Sequence, residues 1–446
     1  MNEFLQELKD IIYDFVFKSS IRLIFVTFLL LCVVGGLLLY LPCCGDLKLI
    51  DAMFSSFSGV CVTGLSTIDI TKDLTTLGQF VLLMLIQTGG LSIMSISSII
   101  FFILGKKMSL SYEKNARSVF NADSRLEIKD SLFMVFKYTF FIELVGVIIL
   151  FVRFLILQKS FLFALKNSVF LSISAFCNAG FALFSNNLVE YNNDPTILIT
   201  IALLIILGGI APAFAINFPK YLKREKLSPM CVIVFNTTLL LLVFGTLIYF
   251  ISEYSNSLTG MNFIDKLTNS FFQSVTTRTA GFNSVDLSSI NSFTYILFLF
   301  LMVVGGSPGG MAGGIKTTTF GVLVITYVNT FFKNKNIIRN KEIAPDTINK
   351  AITLIFIYFG VIAISTLILS TTQTISDIKL LFETVSAMGT VGLSMGITSQ
   401  LDVVGKFVII LTMFLGRVLP AIYVCHLNYK SSELDINYPK AKIALT

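Results

Sequence analysis

The sequence predicts an all-α polytopic membrane protein. It would be built from four pseudo-repeats of helix, short re-entrant helix, glycine turn and helix around one central axis. Three observations predict it. The 446-residue chain is 55% hydrophobic and 13% charged, with a mean hydropathy of +0.84, whereas soluble domains carry about 25% charged residues. Apolar runs of the roughly 20 residues that cross a bilayer recur from 21–41 to the C-terminal region. A glycine-centred turn returns about every quarter of the chain: Val62-Thr63-Gly64, Asn178-Ala179-Gly180, Thr279-Ala280-Gly281 and Thr390-Val391-Gly392.

Hydropathy places apolar helices at about 20–41, 76–104, 131–157, 196–217, 229–251, 292–328, 348–370 and 402–427. The first is too long for a cleaved signal peptide, and no small-residue cleavage pattern follows it. Within each pair of spans lies a shorter, less hydrophobic segment, such as 51–64 or 265–281. These segments are too short to cross, so they re-enter. Segments 1–18, 105–130, 218–227, 329–350 and 428–446 carry 20 Lys and Arg, against 8 in 42–74, 153–195, 252–291 and 371–401. The positive-inside rule makes the first set and both termini cytoplasmic. The expected organisation is a cytoplasmic N-terminus at 1–18, repeat 1 at 19–104, a loop at 105–130, repeat 2 at 131–217 and a loop at 218–228. Repeat 3 follows at 229–328, a loop at 329–347, repeat 4 at 348–427 and a cytoplasmic tail at 428–446.

The repeats share more than the glycine. Ten residues before it stands Phe54, Phe170, Phe271 or Phe382, and just after it Leu65, Phe181, Phe282 or Leu393. A second glycine follows inside the next span: Gly89, Gly208, Gly305 and Gly416. Irregular backbone at membrane depth is tolerated where it is buried or lines a water-filled cavity. Four such turns around one axis would line a pore, and their carbonyl oxygens could replace the hydration shell of a bare cation. Glycine suits the position because it permits left-handed backbone and close approach. No carboxylate ring is present, which argues against a strongly hydrated or divalent ion. Asn178 either offers its amide to the ion or caps the turn.

Repeat 3 carries an interruption, "VVGGSPGGMAGGIKTTTF" at 303–320. Gly305, Gly306, Gly309, Gly310, Gly313 and Gly314, with Pro308, cannot sustain a helix. Lys316 follows directly. A broken membrane helix marks a binding or moving part, here an expected gate loop near 305–315 crossing the pore below the turns. Arg417, in "FLGRVLP", lies deep in the last span, where charge is costly and usually functional. Carbonyls of the glycine-rich loop are its expected partners.

Other chemistries are disfavoured. The seven cysteines show no CxxC spacing, and His426 is the lone histidine, which excludes HExxH zinc sites and His-based triads. Basic residues fall in separate loops, so no nucleic-acid partner is indicated. The chain has neither a Walker sequence nor a strand-linked GxGxxG, so no cofactor is expected on it and any nucleotide would bind a partner. A secondary solute symporter remains the alternative, although two inverted halves would be its usual signature rather than four similar quarters.

At these residues the chain resembles the Trk/Ktr/HKT superfamily of potassium transporters. Within it, the chain is most similar to the KtrB-type membrane subunits of Ktr systems, over nearly the whole length. "VTTRTAGFNSVD", "FCNAGFALFS", "FETVSAMGTVGLSMG" and "GGIKTTTF" carry the resemblance. Eight spans suit the KtrB type, since TrkH types have an extra N-terminal pair. The resemblance implies helix–re-entrant pore helix–filter turn–helix repeats around one central pore. K+ would sit at the carbonyls of the filter residues Val62, Thr63, Gly64, Asn178, Ala179, Gly180, Thr279, Ala280, Gly281, Thr390, Val391 and Gly392. The gate would comprise Gly305, Gly306, Gly309, Gly310, Gly313, Gly314, Lys316 and Arg417. Also implied are a cell-membrane homodimer, a KtrA-like cytosolic ring carrying the nucleotide, and uptake stimulated by Na+. "NYPKAKIALT" looks like the family's dimer-spanning tail. Two departures, Leu419 after Arg417 and the Pro308-containing loop, bear on gating rather than on the pore.

Overall fold

The computed structural model describes residues 20–91, 125–215, 217–223, 225 and 227–427; the predicted cytoplasmic segments 1–18 and 428–446, and most of 105–130, lie outside them. Repeat 1 holds α1 (Ser20–Leu39), the re-entrant α2 (Leu49–Val60), the short α3 (Ile70–Asp73) and α4 (Thr76–Gly90). Repeat 2 holds α5 (Arg125–Ile156), the re-entrant α6 (Phe161–Phe176) and α7 (Pro195–Gly209), followed by the short α8 (Pro212–Ala215) and α9 (Phe218–Leu222). Repeat 3 runs through α10 (Pro229–Glu253), the re-entrant α11 (Phe263–Thr276), α12 (Ser292–Val303) and α13 (Thr317–Phe331). A two-residue hairpin of β1 (Ile337–Ile338) and β2 (Lys341–Glu342) leads to repeat 4: α14 (Pro345–Thr372), the re-entrant α15 (Asp377–Gly389) and α16 (Val403–Leu427).

Local chemistry sets several starts. Ser160, Asp194 and Ser228 accept backbone N–H groups at the N-termini of α6, α7 and α10. Pro195 and Pro229 occupy the first turns, where no intrahelical donor is needed. Arg339 and Asn340, both at positive φ, form the tight hairpin turn.

Four described helices are long and apolar enough to cross a membrane: Leu132–Ile156, Pro229–Glu253, Pro345–Thr372 and Val403–Pro420. Their large outward side chains, such as Phe140, Ile251 and Phe356, are exposed, as lipid-facing residues would be. Within repeats 1, 2 and 4 the first helix, the re-entrant helix and the exit helix pack on one another, and in repeat 3 the first helix packs on both of the others. Each exit helix also packs on the next repeat's re-entrant helix: α4 on α6, α7 on α11, α12 on α15 and, closing the circle, α16 on α2. Apolar clusters fill the seams, one holding Phe54, Leu82, Ile409 and Phe414 between repeats 4 and 1. A second joins repeats 2 and 3 through Phe176, Ile201, Phe272 and Phe282, and a third joins repeats 3 and 4 through Phe298, Tyr358 and Phe382.

Three spans differ from their expected extent: the one expected over 76–104 is helical as α4 to Gly90, and its residues 92–104 lie outside the described ones. The span expected over 196–217 ends as α7 at Gly209, because Gly208-Gly209 and Pro212 break it. The span expected over 292–328 is interrupted between Val303 and Thr317 by the glycine-rich stretch.

Candidate functional site

The four turns have one backbone shape. Two residues before each glycine the chain enters the left-handed region, at Val62 (φ 56), Asn178 (φ 63), Thr279 (φ 69) and Thr390 (φ 49). The glycine follows at positive φ: 98 at Gly64, 73 at Gly180, 78 at Gly281 and 93 at Gly392. Left-handed backbone is rare for β-branched residues, so Val62, Thr279 and Thr390 hold strain that the surrounding packing must maintain.

The turns meet in a ring. A Cβ placed on Gly64 would lie 2.5 Å from the Ala179 carbonyl oxygen, one on Gly180 2.5 Å from that of Ala280, and one on Gly281 2.5 Å from that of Val391. One on Gly392 would strike the carbonyl oxygen of Thr63, which closes the circle. Each glycine thus abuts the carbonyl of the residue before the next repeat's glycine, and only hydrogen fits there. The turns are braced from outside the ring. Ser58 and Ser386 hydroxyls accept the N–H groups of Gly64 and Gly392 at 3.1 Å. The Asn187 amide donates to the Gly180 carbonyl at 3.1 Å, and the Thr276 hydroxyl donates to the Phe282 carbonyl at 2.6 Å. Asn178 turns its side chain away from the ring. In the orientation its neighbours require, its amide nitrogen donates to the carbonyls of Phe176 (3.1 Å) and Ile205 (3.3 Å), which is capping geometry.

The second glycines receive backbone too. Gly89, Gly208 and Gly416 press against the carbonyls of Val60, Phe176 and Met388, near the end of their own repeat's re-entrant helix. Repeat 3 is the exception, for Gly305 faces Gly313 of its own loop.

That loop leaves α12 and comes back beside it. Gly305 N–H donates to the Ile315 carbonyl at 2.9 Å, and Ile315 N–H to the Val303 carbonyl at 3.2 Å, which makes a closed neck. Between them the chain touches repeats 2 and 4 and is linked to repeat 1 through Arg417. Ser307 and Met311 N–H groups donate to the carbonyls of Gly209 and Gly208 in α7. Gly313 packs against Thr390. Arg417 donates to the Met311 carbonyl at 2.5 Å and to the Gly89 carbonyl at 2.9 Å, which ties α16, the loop and α4 together. Arg278 donates to the Gly305 carbonyl at 3.0 Å, and Lys316 to the Ala312 carbonyl at 2.8 Å. The loop is therefore gripped by three cationic side chains, of which Arg278 and Arg417 are buried. Sequence reasoning missed Arg278, which stood unweighed inside "VTTRTAGFNSVD".

On the other side of the ring lies a vestibule of ≈ 610 Å³, lined by Gly64, Gly180, Asp69, Asn187, Asp286 and Ser394 among others. A smaller hollow of ≈ 200 Å³ adjoins it and touches Gly281 and Gly392. Burial alone would raise the Asp69 carboxyl. Hydrogen bonds from the Thr71 and Ser185 hydroxyls, together with Lys72, outweigh that and hold it down at about 2. The vestibule therefore keeps a fixed negative charge.

Fold and site together define a class, an integral membrane protein that moves cations. The chain belongs to the TrkH family of cation transport proteins, whose pattern matches residues 26–425. It is 35% identical over 446 residues to Ktr system potassium uptake protein B of Bacillus subtilis (strain 168), covering 98% of each chain. To the potassium/sodium uptake protein NtpJ of Enterococcus hirae it is 34% identical over 440 residues, 96% of this chain and 97% of that one. The crystal structure of the potassium transporter TrkH from Vibrio parahaemolyticus shares the fold. The TM-score is 0.71 over 92% of this chain and 84% of that one, at 18% identity. The chain is thus a potassium/cation uptake transporter of the TrkH/Ktr family and not an enzyme.

Proposed function

We propose that the chain takes up potassium across the cell membrane through a filter made by its four glycine turns, with the intramembrane loop as gate. The repeats so read run over 19–104, 131–217, 229–328 and 348–427. The observation that carries the reading is the cyclic contact of Gly64, Gly180, Gly281 and Gly392 with the neighbouring turn's carbonyl. A dehydrated cation on this axis would meet neutral carbonyl dipoles from Val62–Gly64, 178–180, 279–281 and 390–392. The C-terminal ends of α2, α6, α11 and α15 run into these turns, so their negative dipole ends favour the cation. Directly beyond, the loop's contacts with repeats 2 and 4, and its link through Arg417 to repeat 1, support an obstruction in the path. Arg417 would add a repulsive charge in a low-dielectric passage.

The finer reading is as follows. Both termini are cytoplasmic, in keeping with the excess of Lys and Arg in the segments assigned inside. The chain pairs as a homodimer and docks on a KtrA-like nucleotide-binding ring, because it has no nucleotide signature of its own. Sodium stimulates uptake or accompanies it, a reading supported by the potassium/sodium designation of the Enterococcus relative. The test is flux in proteoliposomes for potassium, sodium and an amino acid, with any co-purifying cytosolic subunit identified. Potassium flux that competes weakly with sodium and not at all with the amino acid is expected; coupled amino-acid uptake would overturn the reading in favour of a symporter.

A further inference from the structure

We infer that Arg278 is a positioning residue that ties the third filter turn to the neck of the intramembrane loop, so that selectivity and gating share one contact. The inference rests on the filter-and-gate reading above. Three residues before their filter glycines, the other repeats have Cys61, Cys177 and Gly389, none with a long or charged side chain. Repeat 3 alone places a guanidinium there. Its re-entrant helix also stops earlier: α11 ends at Thr276, five residues before Gly281, whereas α2 and α6 end four before theirs and α15 three. Arg278 therefore stands two residues beyond its helix end, where Cys61 and Cys177 stand one beyond theirs.

From that place its Nη2 reaches the Gly305 carbonyl at 3.0 Å. Gly305 is the point where the loop closes on itself, through its N–H to Ile315. Arg278 is 8% exposed, and its Nε has no protein partner among the described residues. A buried guanidinium with so few acceptors depends strongly on the one it has. The next residue, Thr279, is the left-handed residue of the turn. Its methyl carbon would lie 3.1 Å from a Cβ on Gly305, so turn and neck touch without slack. Two residues further stands Gly281 in the ring. A displacement of the neck therefore reaches the ring through two adjacent residues, one by hydrogen bond and one by packing.

The two buried arginines then have different tasks. Arg417 holds the far part of the loop at Met311 and fastens it to repeats 4 and 1. Arg278 holds the neck and fastens it to the filter turn. Releasing the first frees the gate. Releasing the second frees the gate and also withdraws a support from the third turn.

The experiment uses the full chain with its native partners, in cells lacking other potassium uptake and in proteoliposomes. The variants are Arg278→Gln, Arg278→Lys, Arg417→Ala and Gly281→Ser. Potassium-over-sodium discrimination and regulator-free flux are both read on monodisperse protein. Arg278→Gln is expected to lower discrimination by about tenfold or more, the size of one lost charge-assisted hydrogen bond, and to raise regulator-free flux. Arg278→Lys should fall between it and the parent, because an ammonium keeps the charge without the planar fork. Arg417→Ala should raise flux and leave discrimination unchanged. A merely structural Arg278 would lower the yield of folded protein without moving the discrimination of what remains. Parental discrimination in Arg278→Gln, while Gly281→Ser loses it, overturns the inference and leaves the filter reading standing. Parental discrimination in both removes the filter reading itself. If Arg278→Gln does not accumulate, Arg278→Lys decides, and parental discrimination there overturns the inference.

Discussion

Replacing Gly281 by serine tests the ring most directly. The new Cβ would stand 2.5 Å from the Val391 oxygen, 3.1 Å from Gly392 Cα and 3.3 Å from Gly180 Cα. Non-bonded heavy atoms settle near about 3.5 Å, so the oxygen or the turn must yield by about 1 Å. The conformational cost of a Cβ at φ 78 is about 1–2 kcal/mol, and overpacking typically adds about 1–3 kcal/mol. A matched control exists: Gly260 has φ 82, but a Cβ there meets nothing within 4 Å. Gly260→Ser therefore carries the strain without the collision, and the difference between the two variants isolates the ring. If only about 1.4 kcal/mol of that difference falls on the bound ion, the half-saturation concentration for potassium rises tenfold. Isotope uptake at graded potassium, with sodium as competitor, measures it. Equal potassium half-saturation and equal sodium competition in the two variants would refute the reasoning.

Four further outcomes follow from the same geometry. Arg417→Ala, and separately deletion of Gly309 to Gly313, should each raise potassium flux measured without a regulator; folded variants that conduct no better than the parent would leave the loop a purely structural element. Asp69→Asn should raise the potassium half-saturation at low ionic strength and lose that effect in high impermeant salt, since the vestibule charge acts through a screened field. Because Asp69 is held at about 2, below the usual 3.9 or so, the stability it lends its loop is full above about pH 4 and fades as pH falls towards 2. Potassium half-saturation in the parent should accordingly stay flat from about pH 8 to 5, and a step in that range would assign the vestibule charge to another group. Lys406→Met removes a 2.7 Å ion pair joining repeats 4 and 1 and leaves Asp51 with the Thr67 hydroxyl; it should lower the thermal midpoint, by less than the roughly 3–5 kcal/mol cost of breaking fully buried pairs. Thermal melts of the Asp51→Asn, Lys406→Met double variant should recover part of the loss.

The sequence made some of this legible because the constraints were written in residue type. Only glycine tolerates the positive φ and the carbonyl contact at 64, 180, 281 and 392, so the repeat could be read from one letter. The broken third exit helix was equally open, since no helix contains that density of glycine. The left-handed residues two places earlier were not legible. Val62, Thr279 and Thr390 belong to types that avoid that backbone, and only the assembled ring forces them into it. The serine braces left a faint trace: Ser58, Ser174 and Ser386 all lie six residues before their glycines, and two of them bond the glycine N–H. The shared phenylalanine was a partial guide. Phe54, Phe170 and Phe382 are buried, but in repeat 3 Phe272 is fully buried and Phe271 only half. The longer turn of that repeat ends the helix one residue earlier than in repeats 1 and 2. At 3.6 residues per turn, that rotates the neighbouring phenylalanine inward.

Repeat 3 departs from the other three in its exit helix as well as in its turn. Four equal quarters would give a ring with a clear path beneath it, because the exit helices of repeats 1, 2 and 4 lie back against their own re-entrant helices through Gly89, Gly208 and Gly416. The third cannot do this. Its exit helix stops at Val303, and the vacated contact at Gly305 is taken by the loop's own Gly313. The loop thus occupies a position that symmetry would assign to a helix, and its polar backbone must be satisfied there. Carbonyls of α7 accept the loop's N–H groups, Arg417 links the loop to a carbonyl of α4, and Arg278, Lys316 and Arg417 serve the loop's own carbonyls. An element held by a few hydrogen bonds between two arginines, rather than by helical packing, can leave its place without unfolding the bundle. That is what the proposed gate beneath the proposed filter requires.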